Sequence, residues 1–286
     1  MRSKTIVLLA GSLLLPLAAA AQPVAPGGVA DLAGPRAIGI GAALGIASGN
    51  DAIYVNPGAL AARRRYSAEA QSWFERRGAE TTAQVWTASV ADSLSSSVAA
   101  AAAYGRVTEG IETGSLYHLA LAGPIAEGFF LGVAGKYYDL AGERPVSAAT
   151  VDAGILWQVA DYVSLGVAGY NLAPTSQEVE LPRGVGAGIG VGSDRGVQGT
   201  FDWRADLDRR GKTTNRYAFG AEVLLGDVAP LRASYVIDET LDTKWWSIGA
   251  GLVSGNGGGV DVAYRQSVDD PNARVIAVAV KLQFAQ

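Results

Sequence analysis

Residues 274–284 read Arg-Val-Ile-Ala-Val-Ala-Val-Lys-Leu-Gln-Phe. Ile276, Val278, Val280, Leu282 and Phe284 are bulky and apolar, whereas Val275, Ala277, Ala279, Lys281 and Gln283 between them are mostly small or polar. Successive side chains of a strand point to opposite faces, so this stretch has one oily face and one lean face. A soluble sheet tolerates that pattern. A closed barrel in lipid requires it, because one face meets acyl chains and the other meets the lumen.

Working back from this strand, the same alternation recurs as far as Tyr66. It predicts about fourteen strands, at 66–75, 80–91, 96–107, 114–122, 128–139, 148–158, 162–171, 182–192, 196–206, 214–225, 229–238, 243–253, 258–266 and 274–284. The connectors alternate. Tight turns are expected at 92–95, 160–161, 193–195, 226–228 and 254–257, and longer polar loops at 108–113, 141–147, 172–181 and 207–213. Short turns at one end and longer loops at the other characterise bacterial outer-membrane barrels. The outward stripes include Phe129, Leu131, Val133 and Tyr137; Val151, Ile155 and Trp157; Tyr217, Phe219, Val223 and Leu225; Leu231, Tyr235 and Ile237; and Trp246, Ile248 and Leu252. The opposite faces are mainly Gly, Ala, Ser and Thr, unlike the Lys/Glu surface of a solvated sandwich. The fold class is therefore all-β, a closed antiparallel transmembrane β-barrel.

Composition agrees. Hydrophobic residues make up 49% of the 286-residue chain and mean hydropathy is +0.18. No apolar run after the first residues reaches the ~20 that a spanning helix needs. Residues 1–21 read as a signal peptide, with Arg2 and Lys4 before an apolar stretch from Ile6 to Leu17 and a small-residue cleavage site at Ala19-Ala20-Ala21. Losing Arg2 and Lys4 takes the formal charge from −4 to −6, which offers nothing to nucleic acid. The chain has no cysteine, as suits an exported barrel stabilised by closure. Three regions follow: a signal at 1–21, an N-terminal arm and hatch at 22–62, and the barrel at 63–286.

Residues 36–62 differ from the rest. Small apolar residues lie among glycines, with Asn50-Asp51 and Asn56-Pro57-Gly58 as turns or helix starts. Short helices and loops are expected, compact enough to sit inside the barrel. Gly184, Gly186, Gly188, Gly190 and Gly192 occupy alternate positions of one strand. An inward glycine stripe leaves room for another backbone, and 36–62 is the natural occupant.

Nothing points to an enzyme or a cofactor. His118, the only histidine, falls on an inward face as a hydrogen-bonding residue of the lumen. Metal-ligand spacing is absent. Gly39-Ile40-Gly41 with Gly45 departs from the dinucleotide-binding spacing. Charges on inward positions are the other candidates: Asp152, Asp202, Arg204, Glu222, Arg232, Asp261 and Arg265. Glu222 and Arg232 are equidistant from a turn centred on Asp227, which sets them opposite each other. Their expected part is to hold the wall and the plug, with a selectivity or substrate role as the alternative.

The chain resembles the FadL/PorV-type outer-membrane barrel superfamily. The likeness rests on Gly34-Pro35-Arg36-Ala37-Ile38-Gly39-Ile40-Gly41-Ala42-Ala43 and on Gly49-Asn50-Asp51-Ala52-Ile53-Tyr54-Val55-Asn56-Pro57-Gly58-Ala59-Leu60-Ala61. Further likeness lies in Asn171-Leu172 with Leu181-Pro182, and in Gly220-Ala221-Glu222 with Leu231-Arg232-Ala233-Ser234-Tyr235. The resemblance implies an outer-membrane location, fourteen strands and an N-terminal hatch in the lumen that carries Arg36, Gly39, Gly41, Asp51, Asn56, Pro57 and Gly58. Compact length and short loops resemble the PorV/PorQ branch. The implied partners, beside outer-membrane lipid, are hydrophobic small molecules passing a hatch or exported proteins docking on a secretion component. A purely structural role is the third reading.

Overall fold

The computed structural model describes residues 34–109, 112–141, 145–173, 181–209 and 212–285. The signal-peptide expectation and the arm up to residue 33 lie outside them. Fourteen strands run in order: β1 Arg65–Arg77, β2 Glu80–Asp92, β3 Ala99–Glu109, β4 Glu112–Ala126, β5 Phe129–Ala141, β6 Val146–Ala160, β7 Val163–Tyr170, β8 Gly184–Gly192, β9 Val197–Arg209, β10 Lys212–Leu225, β11 Ala229–Asp238, β12 Thr243–Val253, β13 Gly258–Ser267 and β14 Ala273–Ala285. Each strand pairs antiparallel with its sequence neighbours, and β1 pairs with β14 to close the barrel. The closing register sets Tyr66 against Phe284, Ala70 against Val280 and Phe74 against Ile276. Closure leaves no edge strand: each of the fourteen strands is hydrogen-bonded to a neighbour on both sides.

The alternation of the last strand holds in three dimensions. Val280, Leu282 and Phe284 are exposed, whereas Ala277, Ala279 and Lys281 are buried. The outside also carries Leu119, Leu121, Val133, Val151, Phe219, Leu231 and Ile248, all exposed. An apolar belt of this extent is a surface for hydrocarbon rather than for water. On that belt Trp86, Tyr104, Tyr117 and Tyr137 form a ladder across β2–β5, with ring centroids 5.4, 5.2 and 6.2 Å apart in turn.

Two expectations change. The loops expected at 108–113 and 207–213 are mostly strand: Thr108 pairs with Thr113, Glu109 with Glu112, and Lys212 with Arg209. Pairing uses the backbone, so polar residues continue a hairpin beyond the oily belt. The long connection is the one between β7 and β8. The inner face is also less uniformly small than expected. Trp73, Val85, Leu116, Tyr138, Tyr170, Val236 and Trp245 point inward and are buried, which fills the lumen where it is not occupied by the segment before β1.

Candidate functional site: the filled lumen

The segment 34–62 packs inside the barrel as α1 (Pro35–Ile40), a 3-10 turn (Gly49–Asp51), α2 (Ala52–Val55) and a second 3-10 turn (Pro57–Ala61). Pro35 sits at the first helical position, where its fixed φ and missing N–H cost nothing. Gly41 ends α1 with φ 83°, a left-handed conformation that glycine adopts freely. Gly39 faces Arg232 and Gly249, where an added Cβ would lie 3.3 Å from each.

The chain then turns through Ala42 and Ala43 and presents Leu44-Gly45-Ile46 to the glycine stripe of β8. A Cβ on Gly188 would lie 2.8 Å from Leu44 Cβ, and one on Gly45 would lie 2.7 Å from Gly190 N. Neither backbone could come this close with a side chain in between. Polar contacts fix the docking. Leu44 N donates to Asp202 Oδ2 at 2.7 Å, and Ser164 Oγ donates to Gly45 O at 2.6 Å.

Asn56 is wholly buried. Its Nδ2 donates to Leu44 O at 3.0 Å and to Ile155 O at 2.9 Å, and its Oδ1 accepts from Gly58 N at 3.1 Å. One side chain therefore caps the following turn, ties two parts of the segment together and joins them to β6. Pro57 and Gly58 lie against Gly132 and Gly154 of β5 and β6. Tyr170 Oη donates to Val55 O at 2.7 Å. Asp51 Oδ1 accepts from Gly34 N at 2.9 Å. Burial pushes the Asp51 carboxyl up, against the pull of Arg36. Burial acts to lower Arg36, but the Glu222 and Asp51 carboxylates hold it above its ordinary value.

The inward charges separate into groups. Glu222 and Arg232 stand opposite each other in the β10–β11 register and are ion-paired. Arg232 also reaches Asp261, Nη1 to Oδ1 at 2.6 Å, and Asp261 pairs with Lys281. Arg36 of α1 joins the network through Glu222, Nη2 to Oε1 at 3.3 Å. A cavity of about 160 Å³ borders it, lined among others by Asp51, Glu69, Glu222, Arg232 and Lys281, at the end of the barrel that carries the tight turns. Arg36, Glu222, Arg232, Asp261 and Lys281 are each held by an opposite charge, as buried ions require.

Asp152 belongs to a second group. Its Oδ1 accepts from Lys136 Nζ at 2.7 Å and from Asn171 N at 2.8 Å. Lys136 also donates to Asn171 Oδ1 at 2.8 Å, and Asn171 Nδ2 donates to Pro182 O at 2.8 Å. Asn171 has φ 52°, a left-handed turn that asparagine tolerates well. Arg204 pairs with Asp206 at 3.0 Å and lies 4.5 Å over the Tyr170 ring. Arg265 lies 4.5 Å over Trp245. Asp202 and Arg204, though on one face of one strand, thus serve different neighbours.

Residue-type reasoning passed over Lys136, Gln198, Lys281, Tyr54, Tyr138 and Tyr170. For all but Tyr54, which lies on α2, the inward parity was readable from the alternation, but the partner was not: Asp152 for Lys136, Glu222 for Gln198, Asp261 for Lys281 and Val55 O for Tyr170. His118 is buried on the inner face, yet among the described residues its Nε2 has no hydrogen-bond partner. The expectation of a bonded lumen histidine is not met at that atom: the ring lies edge to face with Tyr54 and Tyr138, and Lys136, opposite it in register, is turned to Asp152 and Asn171.

The chain matches no known family model and no curated protein. Solved structures do match. The toluene transporter TbuX of Ralstonia pickettii is 12% identical with a TM-score of 0.66, over 88% of this chain and 98% of that one. A FadL homologue of Pseudomonas aeruginosa is 11% identical with a TM-score of 0.66, over 88% and 98%. The toluene transporter TodX of Pseudomonas putida is 10% identical with a TM-score of 0.58, over 87% and 96%. At these identities the likeness is one of fold: this chain has the closed fourteen-stranded architecture of FadL-type barrels.

Proposed function

We propose that the chain is an outer-membrane barrel for passage of small hydrophobic compounds, with residues 34–62 as the hatch. The observation that supports this reading most is the filled lumen. A barrel closed by its own N-terminal segment offers no wide aqueous channel, which disfavours a general porin. Its architecture is shared over nearly the whole length of two proteins described as toluene transporters. Arg36, Gly39, Gly41, Asp51, Asn56, Pro57 and Gly58 hold the hatch to the wall in this reading. Asp202, Glu222, Arg232 and Asp261 are its counterparts on the strands. Asp152, Arg204 and Arg265 brace the loop end of the lumen.

The test is uptake of radiolabelled toluene by cells with and without the protein, alongside recovery of exported proteins on the purified barrel. Faster uptake with the protein supports passage. Equal uptake together with a specific secreted partner rejects it in favour of a PorV-like docking role. Equal uptake with no partner leaves a structural role.

A further inference from the structure

The outer surface of the wall carries a groove across β2–β5. Three successive outward rows define it. Asp92, Ala100, Leu121 and Val133 lie side by side in register, and Val90, Ala102, Leu119 and Gly135 form the next row. The third row holds Tyr104, Tyr117 and Tyr137 of the aromatic ladder. Ala100, Ala102 and Gly135 make the floor, where no side chain is longer than a methyl group. Val90, Leu119, Leu121 and Val133 stand exposed around it. The groove holds about 580 Å³, within the range of about 300–1,000 Å³ usual for a cleft that takes one small molecule.

The groove has the depth of one leaflet. From Ala99, where β3 begins at the tight-turn end, to Tyr104 is about 17 Å along the strand at ~3.4 Å per residue. At a strand tilt of about 40° that is roughly 13 Å of depth, close to half of a hydrocarbon core of ~30 Å. Tight turns mark the periplasmic end of such barrels, so the groove runs from the periplasmic rim to the tyrosines.

The rim end carries both signs of charge. Arg64, exposed just before β1, reaches over the β2–β3 turn, where Nη1 donates to Ser96 O and Nη2 to Leu94 O. A guanidinium has five N–H groups, so this side chain keeps donors for an anion. Asp92 opens the same turn and lines the groove. Its Oδ1 accepts from Leu94 N at 2.8 Å and Ser95 N at 3.0 Å, and its Oδ2 accepts from Ser95 Oγ at 2.6 Å. A cation and a carboxylate on one turn, at the mouth of an apolar groove, match a molecule with a phosphate, an ammonium and an acyl chain.

We propose that this groove is a binding site for one phosphatidylethanolamine molecule of the periplasmic leaflet. An acyl chain lies over Ala100, Ala102 and Gly135, the phosphate meets Arg64 and the ammonium faces Asp92. The site is on the outside of the wall and stands independently of what the lumen passes.

The experiment is native mass spectrometry of the full-length protein purified in detergent and titrated with palmitoyl-oleoyl-phosphatidylethanolamine. It compares wild type with Arg64→Gln, which removes the charge, and Ala102→Leu, which fills the floor. Ala70→Leu adds the same bulk to the outer face of β1, outside the groove, and serves as the control. Each variant is scored as the folded form, which migrates compactly on unheated gels. Wild type is expected to bind one lipid, and Arg64→Gln and Ala102→Leu to weaken it about fivefold with Ala70→Leu unchanged. A loss of threefold or more in both groove variants but not in the control supports the site. A smaller loss in either groove variant, an equal loss in all three, or no lipid on the wild type overturns it and leaves an ordinary lipid annulus. A lipid-free dimer that Ala102→Leu disperses also overturns it, assigning the groove to a second copy of the chain.

Discussion

At the scale of single residues, parity is the organising fact. Val278 and Ala279 are neighbours in sequence, yet one is 41% exposed on the lipid side and the other is 4% exposed. Val278→Arg is expected to cost about 2–4 kcal/mol if that position lies near the bilayer midplane, because a guanidinium there leaves water for acyl chains. Urea titration of folding into lipid vesicles reads this directly. Arg232 is the residue on which the charge network turns, since it holds Glu222 and Asp261 together. Arg232→Met leaves two buried carboxylates short of a partner and is expected to cost about 3–5 kcal/mol in the same titration. Arg36→Met is expected to be milder for the barrel, because Glu222 keeps Arg232 and Gln198. Its effect should appear as faster protease cleavage within 34–62. Parity made the inward charges legible one by one. It did not say which would meet, because a cross-lumen neighbour depends on how the barrel closes.

At the scale of elements, β8 and the segment 34–62 define each other. The stripe from Gly184 to Gly192 was readable as space for a backbone, and Leu44-Gly45-Ile46 lies against it. Gly188→Leu would drive a branched side chain into Leu44 and Asp202. The strands keep their pairing, so the expected result is a folded barrel with a displaced segment. Planar-bilayer recording should then show larger or more frequent conductance steps than wild type. Unchanged conductance together with reduced folding yield would mean that the glycine serves only the wall. Hairpin registers were also legible: the turn around Asp227 sets Glu222 opposite Arg232 by counting residues, and the structure pairs them so. The lengths of the loop-end connectors were not. Backbone pairing runs on through Thr108 and Glu109, where side-chain hydropathy gives no signal, and the polar loops expected at 108–113 and 207–213 shrink.

At the scale of the whole molecule, closure is the decisive event. β14 pairs with β1 through Phe284 to Tyr66 and Leu282 to Ala68, joining residues more than two hundred positions apart. Such non-local pairing is the slow part of building a sheet. Deleting Leu282 to Gln286 removes these contacts and the start of the β13 ladder at Gly258. The truncated chain is expected to insert poorly, with most of it recovered outside the outer-membrane fraction. Normal insertion would show that the remaining part of β14 suffices to seal the barrel.

By itself the sequence determined the strand count, the two faces and the antiparallel order, because each depends on period-two alternation and turn chemistry within about twenty residues. It also marked Asn56, the glycine stripe and the inward charges as unusual. Only the tertiary structure decided that Arg36 meets Glu222, that Asp202 holds Leu44 N, that Lys136 and Asn171 complete Asp152, and that His118 lies between Tyr54 and Tyr138. The first two and the Tyr54–His118 contact join segments far apart in the chain, and the others join neighbouring strands whose side-chain pairing the alternation does not specify. They follow from barrel diameter, strand stagger and the path of a segment with no periodicity of its own, quantities that arise only when fourteen strands close around it.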